Sequence, residues 1–158
     1  MRPTIRAAFR PRTDDMPRYI ATVSTDRSPE EVFAYLSDLT TFAEWDPGVE
    51  RVELVAGTAG GDDAVYDVTL DRGMTLRYEV TQFVPGHQAT VVADNGRFRS
   101  VDVISVERSV DGSVATYDAT LTFSGVLSPL SVLLGPIFKR IGDKAAAGLE
   151  RVLEGRLV

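Results

Sequence analysis

The run SPLSVLLGPIFKRIGDKAAAGLERVLEG, residues 128–155, decides how the rest of the chain is read. Ser128 is a suitable N-cap, Pro129 fits the first helical position and Gly155 supplies a stop. On a helical wheel, Leu130, Leu134, Ile137, Phe138, Ile141, Ala145, Leu149 and Val152 share one side, with Lys139, Asp143, Glu150 and Glu154 opposite. The spacing predicts a long amphipathic helix over 129–154 with a stripe to bury. Pro136 has no N–H for the carbonyl of residue 132, so a bend or restart is expected at Gly135-Pro136. The apolar stretch 126–138 suits burial against other helices, a pocket gate, a dimer patch or a membrane-docking edge.

The partner for that stripe lies upstream. From Val49 onward, turn signals recur at Gly57 to Asp63, Asp71-Arg72-Gly73, Pro85-Gly86, Asn95-Gly96 and Asp111-Gly112. Asn-Gly and Asp-Gly suit two-residue hairpins, whose central positions need positive φ. Strands are expected over about 49–56, 64–70, 74–84, 88–93, 98–109 and 114–124. With a first strand over 19–24, they make a seven-stranded antiparallel sheet. Alternation is clean at Leu76, Tyr78 and Val80 and again at Tyr117, Ala119, Leu121 and Phe123, which fixes two inner faces. In 98–109, Val101 and Val103 are in one phase and Ile104 and Val106 in the other, so a bulge is expected between them and the facing of Arg99 and Asp102 stays open.

Between the first strand and this meander, Ser28-Pro29-Glu30-Glu31 is a capping box that starts a helix running to about Asp38. Thr41 and Glu44 repeat the box for a second short helix carrying Phe42 and Trp45, which must stop before Pro47. Residues 1–18 hold five arginines and two aspartates, a net +3 against −9 for the remainder, and read as an arm outside the core, with 19–158 as a single domain.

Bulk properties exclude several functions. With 158 residues, 17 basic and 23 acidic side chains and a net charge of −6, nucleic acid is not an expected partner. The chain has no cysteine, which removes thiolate chemistry and cysteine metal sites and suits a reducing cytoplasm. No run approaches the ~20 apolar residues of a membrane span, so a cytoplasmic protein without stable membrane insertion is expected. The single histidine, His87, follows Pro85-Gly86 and is expected in a solvated turn, which leaves no histidine-based metal site or triad. Asp62-Asp63 with Gly57, Gly60 and Gly61 reads as a hairpin tip rather than a cation loop, and Asp46 before Pro47 as a turn residue rather than an acid at a cavity mouth.

The order strand, two short helices, six antiparallel strands, long helix, together with Ser28-Pro29-Glu30-Glu31-Val32-Phe33, Asp38, Trp45-Asp46-Pro47 and Val49-Glu50-Arg51-Val52, resembles the START-related, Bet v 1-like helix-grip (SRPBCC) superfamily. It is most similar to the polyketide cyclase/dehydrase branch, over about residues 18–155. The resemblance implies an α+β fold whose sheet wraps the last helix around a hydrophobic cavity, used in the superfamily for lipid, sterol, polyketide or quinone binding, for cyclisation, or for co-chaperone contacts. Lining by Phe42, Trp45, Tyr66, Val68, Leu76, Tyr78 and Val91 is implied, continuing with Val103, Tyr117, Ala119, Leu134, Phe138, Ile141 and Ala145. Three inward tyrosines, Tyr66, Tyr78 and Tyr117, would give an apolar pocket its polar handles.

Two functions of different classes follow. One is a cofactor-free carrier or sensor of a small hydrophobic molecule. The other is a cyclase/dehydratase-type enzyme in which a tyrosine positions an enolate and Arg99 or Asp102 serves as acid or base. A homodimer or a protein partner is compatible with either. Ala145 and Gly148, small residues on the helix stripe, mark either a tight backbone approach or room for ligand; room for ligand is the expectation.

Overall fold

The computed structural model describes residues 16–125 and 130–158, with side chains of residues 130–133 excepted. Residues 1–15 of the arm expected over 1–18 and the Ser128-Pro129 cap therefore lie outside the described residues, while the last residue of that arm, Arg18, opens β1. The elements are β1 (Arg18–Thr25), α1 (Pro29–Ser37), a 3-10 turn (Leu39–Thr41), α2 (Phe42–Trp45), β2 (Val49–Ala56), β3 (Val65–Leu70), β4 (Thr75–Val84), β5 (Gln88–Asp94), β6 (Phe98–Ser109), β7 (Gly112–Phe123), α3 (Leu130–Val152) and β8 (Arg156–Leu157). They form one antiparallel sheet in the order β2-β3-β4-β5-β6-β7-β1-β8, with the helices on its inner face. The eighth strand is the two-residue β8, which pairs with β1 through Val23 and Ser24; it is too short to leave a periodic signal.

The first capping box forms as expected, since the Ser28 hydroxyl accepts from Glu31 N–H and Glu31 Oε2 accepts from Ser28 N–H, each at 3.3 Å. The second does not. Thr41 donates backward to the carbonyls of Tyr35 and Asp38, each at 3.0 Å, and capping passes to Asp38, whose carboxylate accepts from Thr40 N–H at 3.0 Å. Asp38 thus breaks α1 and starts the turn that aims Phe42 and Trp45 inward.

The expected bulge in β6 is absent. Its register with β7 is unbroken from Phe98↔Phe123 to Ser109↔Gly112, and Ser100, Asp102, Ile104 and Val106 are all buried. The conflicting phase arises because Val101 and Val103 line a groove of about 220 Å³ with Met16, Arg18, Asp118 and Thr120. Both strand faces carry apolar residues, which defeats a two-state alternation. The irregularities lie instead in β2, between Val49 and Arg51 and between Leu54 and Ala56, and in β4, between Val80 and Gln82.

Helix α3 differs most from its wheel. Its buried residues include Gly142, Ala145, Ala146, Gly148 and Leu149, with Leu153 just beyond its end, whereas Ile137 and Ile141 are 56% and 45% exposed. Small residues carry the contact because large neighbours approach the backbone. A Cβ on Gly142 would overlap the Tyr19 ring, and one on Gly148 would overlap the Trp45 carbonyl oxygen. The expected room for ligand at Ala145 and Gly148 is thereby overturned: this half of α3 is packed directly onto β1 and α2. Two residues past the end of α3, Glu154 takes the left-handed conformation (φ 49°), with Gly155 N–H on the Glu150 carbonyl at 3.0 Å. Gly155 is needed for space, since a Cβ there would meet the Ser24 carbonyl oxygen and Val23.

Candidate functional site

Where α1, α2 and the centre of the sheet converge, a cavity of about 10 Å³ remains. That is close to the smallest space that admits one water molecule. Leu36, Leu39 and Thr41 line it from α1 and the 3-10 turn, Phe42 and Trp45 from α2, and Val91, Asp102, Ile104 and Tyr117 from β5, β6 and β7. Phe42, Trp45 and Tyr117 form one aromatic cluster: the Phe42 and Trp45 centroids are 4.5 Å apart, and the Tyr117 ring stands edge-on to Trp45 at 5.2 Å.

The polar end of the cavity is built on Asp102, 2% exposed. Its two cross-strand neighbours, Val91 and Ala119, offer no hydrogen bond. Its partners stand two residues along the inner face: Ser100 donates to Oδ1 and Tyr117 to Oδ2, each at 2.8 Å. Burial pushes the carboxyl up to about 6; the bonds from Ser100 and Tyr117 oppose that rise, and the charges of Asp46 and Asp118 add to it. Desolvation and the Asp102 charge likewise raise the Tyr117 and Tyr78 hydroxyls well above the ordinary tyrosine value. In the same lining as Asp102, the fully buried Trp45 Nε1 has no hydrogen-bond acceptor among the described residues. Native structures seldom leave such a donor unmet.

Of the residues implied as lining, Phe42, Trp45, Val91 and Tyr117 meet at this cavity. Tyr66, Val68, Leu76, Tyr78 and Ala119 are buried on the same sheet face without bordering the remaining space. Tyr66 has a different task, its hydroxyl accepting from Gly60 N–H at 2.8 Å and so pinning the glycine-rich hairpin tip to the core. Leu134 and Phe138 are half-buried. Val103 is corrected to the outer face, Ile141 to the surface, and Ala145 to the helix contact. Arg99 is exposed, 3.9 Å from Asp94, which excludes it from the cavity; His87 is an exposed turn residue. Asp46 is half-buried, with its carboxylate accepting from Gly48 N–H at 2.8 Å in a local turn and its acidity weakened mainly by burial. Leu36, Leu39, Thr41, Ser100 and Ile104 are not among the residues that the resemblance implies; reading Ser100-Asp102-Ile104-Val106 as one phase reveals the last two.

Among the described residues no helix is long and apolar enough to cross a membrane. Fold and site together define a helix-grip protein with an apolar interior and a small buried polar centre. The chain belongs to the polyketide cyclase / dehydrase and lipid transport family, whose profile matches residues 16–154. Its fold is shared with a START superfamily protein from Mycobacterium smegmatis (TM-score 0.66, 16% identity, covering 88% of this chain and 97% of that one). It is also similar to the ginseng major latex-like protein 151 of Panax ginseng (TM-score 0.61, 14% identity, 87% and 97%). A third is the di-domain ARO/CYC StfQ of the steffimycin biosynthetic pathway (TM-score 0.66, 13% identity), of which this chain, covered over 89% of its length, spans 52%. No curated protein matches the sequence significantly.

Proposed function

We propose that the protein binds a small hydrophobic molecule between the sheet and the helices that cover it, in the cavity beneath α1 and α2, with affinity from apolar area and orientation from Asp102, Tyr117 and Trp45. The supporting observation is the polar centre: a buried carboxyl and an unpaired indole N–H on one cavity reduce stability and serve the packed core poorly. Membership of a family described by both lipid transport and polyketide chemistry agrees with this reading. The reading requires the cavity of about 10 Å³ to expand around its ligand. Each 100 Å² of ligand-facing apolar area would contribute about 2.5 kcal/mol before association costs. It also takes residues 19–158 as the binding domain of a cytoplasmic protein, with the Arg-rich arm as an addition.

One observation favours a second reading, a cyclase/dehydratase-type enzyme. A buried carboxyl pushed up to about 6 exchanges protons readily at neutral pH, and Tyr117, beside it in the lining, can donate to an enolate. Native mass spectrometry of the purified protein should show a retained lipophile or uptake of an added one, with a shift in the emission of Trp45, the sole tryptophan. No adduct and no shift across sterol, fatty-acyl and polyaromatic ligands would reject binding. In the same incubation, a poly-keto surrogate recovered unchanged supports a carrier, and a cyclised product supports the enzyme.

A further inference from the structure

The cavity's polar groups restrict what its ligand can be. Among the described residues, Trp45 Nε1 is a donor with no acceptor. The Asp102 oxygens each accept one bond, from Ser100 and from Tyr117, and each keeps a further lone pair. None of the nine lining residues carries a positive charge.

These conditions discriminate among polar ends. A carboxylate or phosphate would accept from Trp45 but would meet the Asp102 charge with no cation between them. An ammonium group would pair with Asp102 and offer Trp45 nothing. An ether or ketone oxygen would serve Trp45 alone. A hydroxyl serves both, accepting from the indole N–H and donating to the carboxylate. Resting on the binding reading above, we infer that the ligand is a neutral molecule whose buried end carries a hydroxyl, as in an alcohol, phenol or enol, held between Trp45 Nε1 and Asp102. Free fatty acids and phosphorylated lipids are thereby disfavoured as ligands entering polar end first.

The test uses naphthalene carrying a hydroxyl, methyl, carboxylate or aminomethyl group at the same ring position, titrated calorimetrically into the full chain at neutral pH. The hydroxyl compound is expected to bind about tenfold tighter than the methyl compound, although the latter is more apolar, because one charge-assisted hydrogen bond supplies about that factor. The carboxylate and aminomethyl compounds should be weaker than the hydroxyl one. Methyl equal to or better than hydroxyl, or either ion binding tightest, overturns the inference and leaves the binding reading standing. Failure of all four to bind defeats both. In Asp102→Asn and Trp45→Phe the hydroxyl's advantage should fall to about threefold or less. Its full persistence in both folded variants would also overturn the assignment, and the wild-type ranking decides if neither folds.

Discussion

Asp102 concentrates the unusual chemistry of this chain in one side chain. The lone histidine, His87, is exposed in a turn away from this interior. The group moved toward neutrality is a carboxyl, from 3.8 to about 6, chiefly by burial. Its folded state holds the proton more tightly than its unfolded state. Its contribution is therefore fully present below about pH 4 and is lost as pH rises through about 6, on the order of 2–3 kcal/mol. Asp67, held low by Arg77, works in the opposite sense, but it is common to wild type and variant. Relative to wild type, Asp102→Asn should therefore gain about 2–3 kcal/mol between pH 4 and 7.5 in urea unfolding. A difference independent of pH would mean that the carboxyl ionises normally. Sequence alone left the facing of Asp102 open because Val101 and Val103 supply apolar residues to the other side of the strand.

At the scale of elements, α3 is legible in its existence and opaque in its orientation. A helical wheel ranks side chains by hydropathy, so it places Ile137 and Ile141 inward. The observed contact is made by Gly142, Ala145 and Gly148, which are chosen for what they lack. Bulk on the partners decides the face: the Tyr19 ring and the Trp45 backbone occupy the volume that a side chain on α3 would need. Gly148→Ala should accordingly destabilise by about 1–3 kcal/mol, despite a helix-propensity gain of about 1 kcal/mol. Ala145→Leu should lose a similar amount by overpacking. Denaturant melts of both would check this, and a neutral or stabilised Gly148→Ala would show that the helix stands off from α2. The capping box at Ser28 was readable because its signal is local in sequence; the substitution of Asp38 for Thr41 as a cap depends on the path of the chain.

Across the whole molecule, the meander and its hairpins were legible from turn residues, and the family from the motifs between β1 and β2. The short β8 and the near-closed interior were not, because both depend on where α3 comes to rest. That resting place is secured at one end. The Thr25 hydroxyl donates to the Leu153 carbonyl at 2.7 Å, Arg27 pairs with Glu154 at 2.8 Å, and β8 hydrogen-bonds to β1, with Val158 N–H on the Thr22 carbonyl at 3.0 Å. Toward the other end, Leu134 and Phe138 are only half-buried, Ile137 and Ile141 face solvent, and Pro136 removes a rung of the hydrogen-bond ladder. Mechanically α3 is a cantilever, clamped at its C-terminus and lightly held along the span that follows Pro136. Backbone amides should then exchange with deuterium along a gradient, fastest over 134–141 and slowest over 146–153, and a bound ligand should slow the fast end alone. Equal protection along the helix would mean that it moves as one rigid rod, leaving entry to the sheet side.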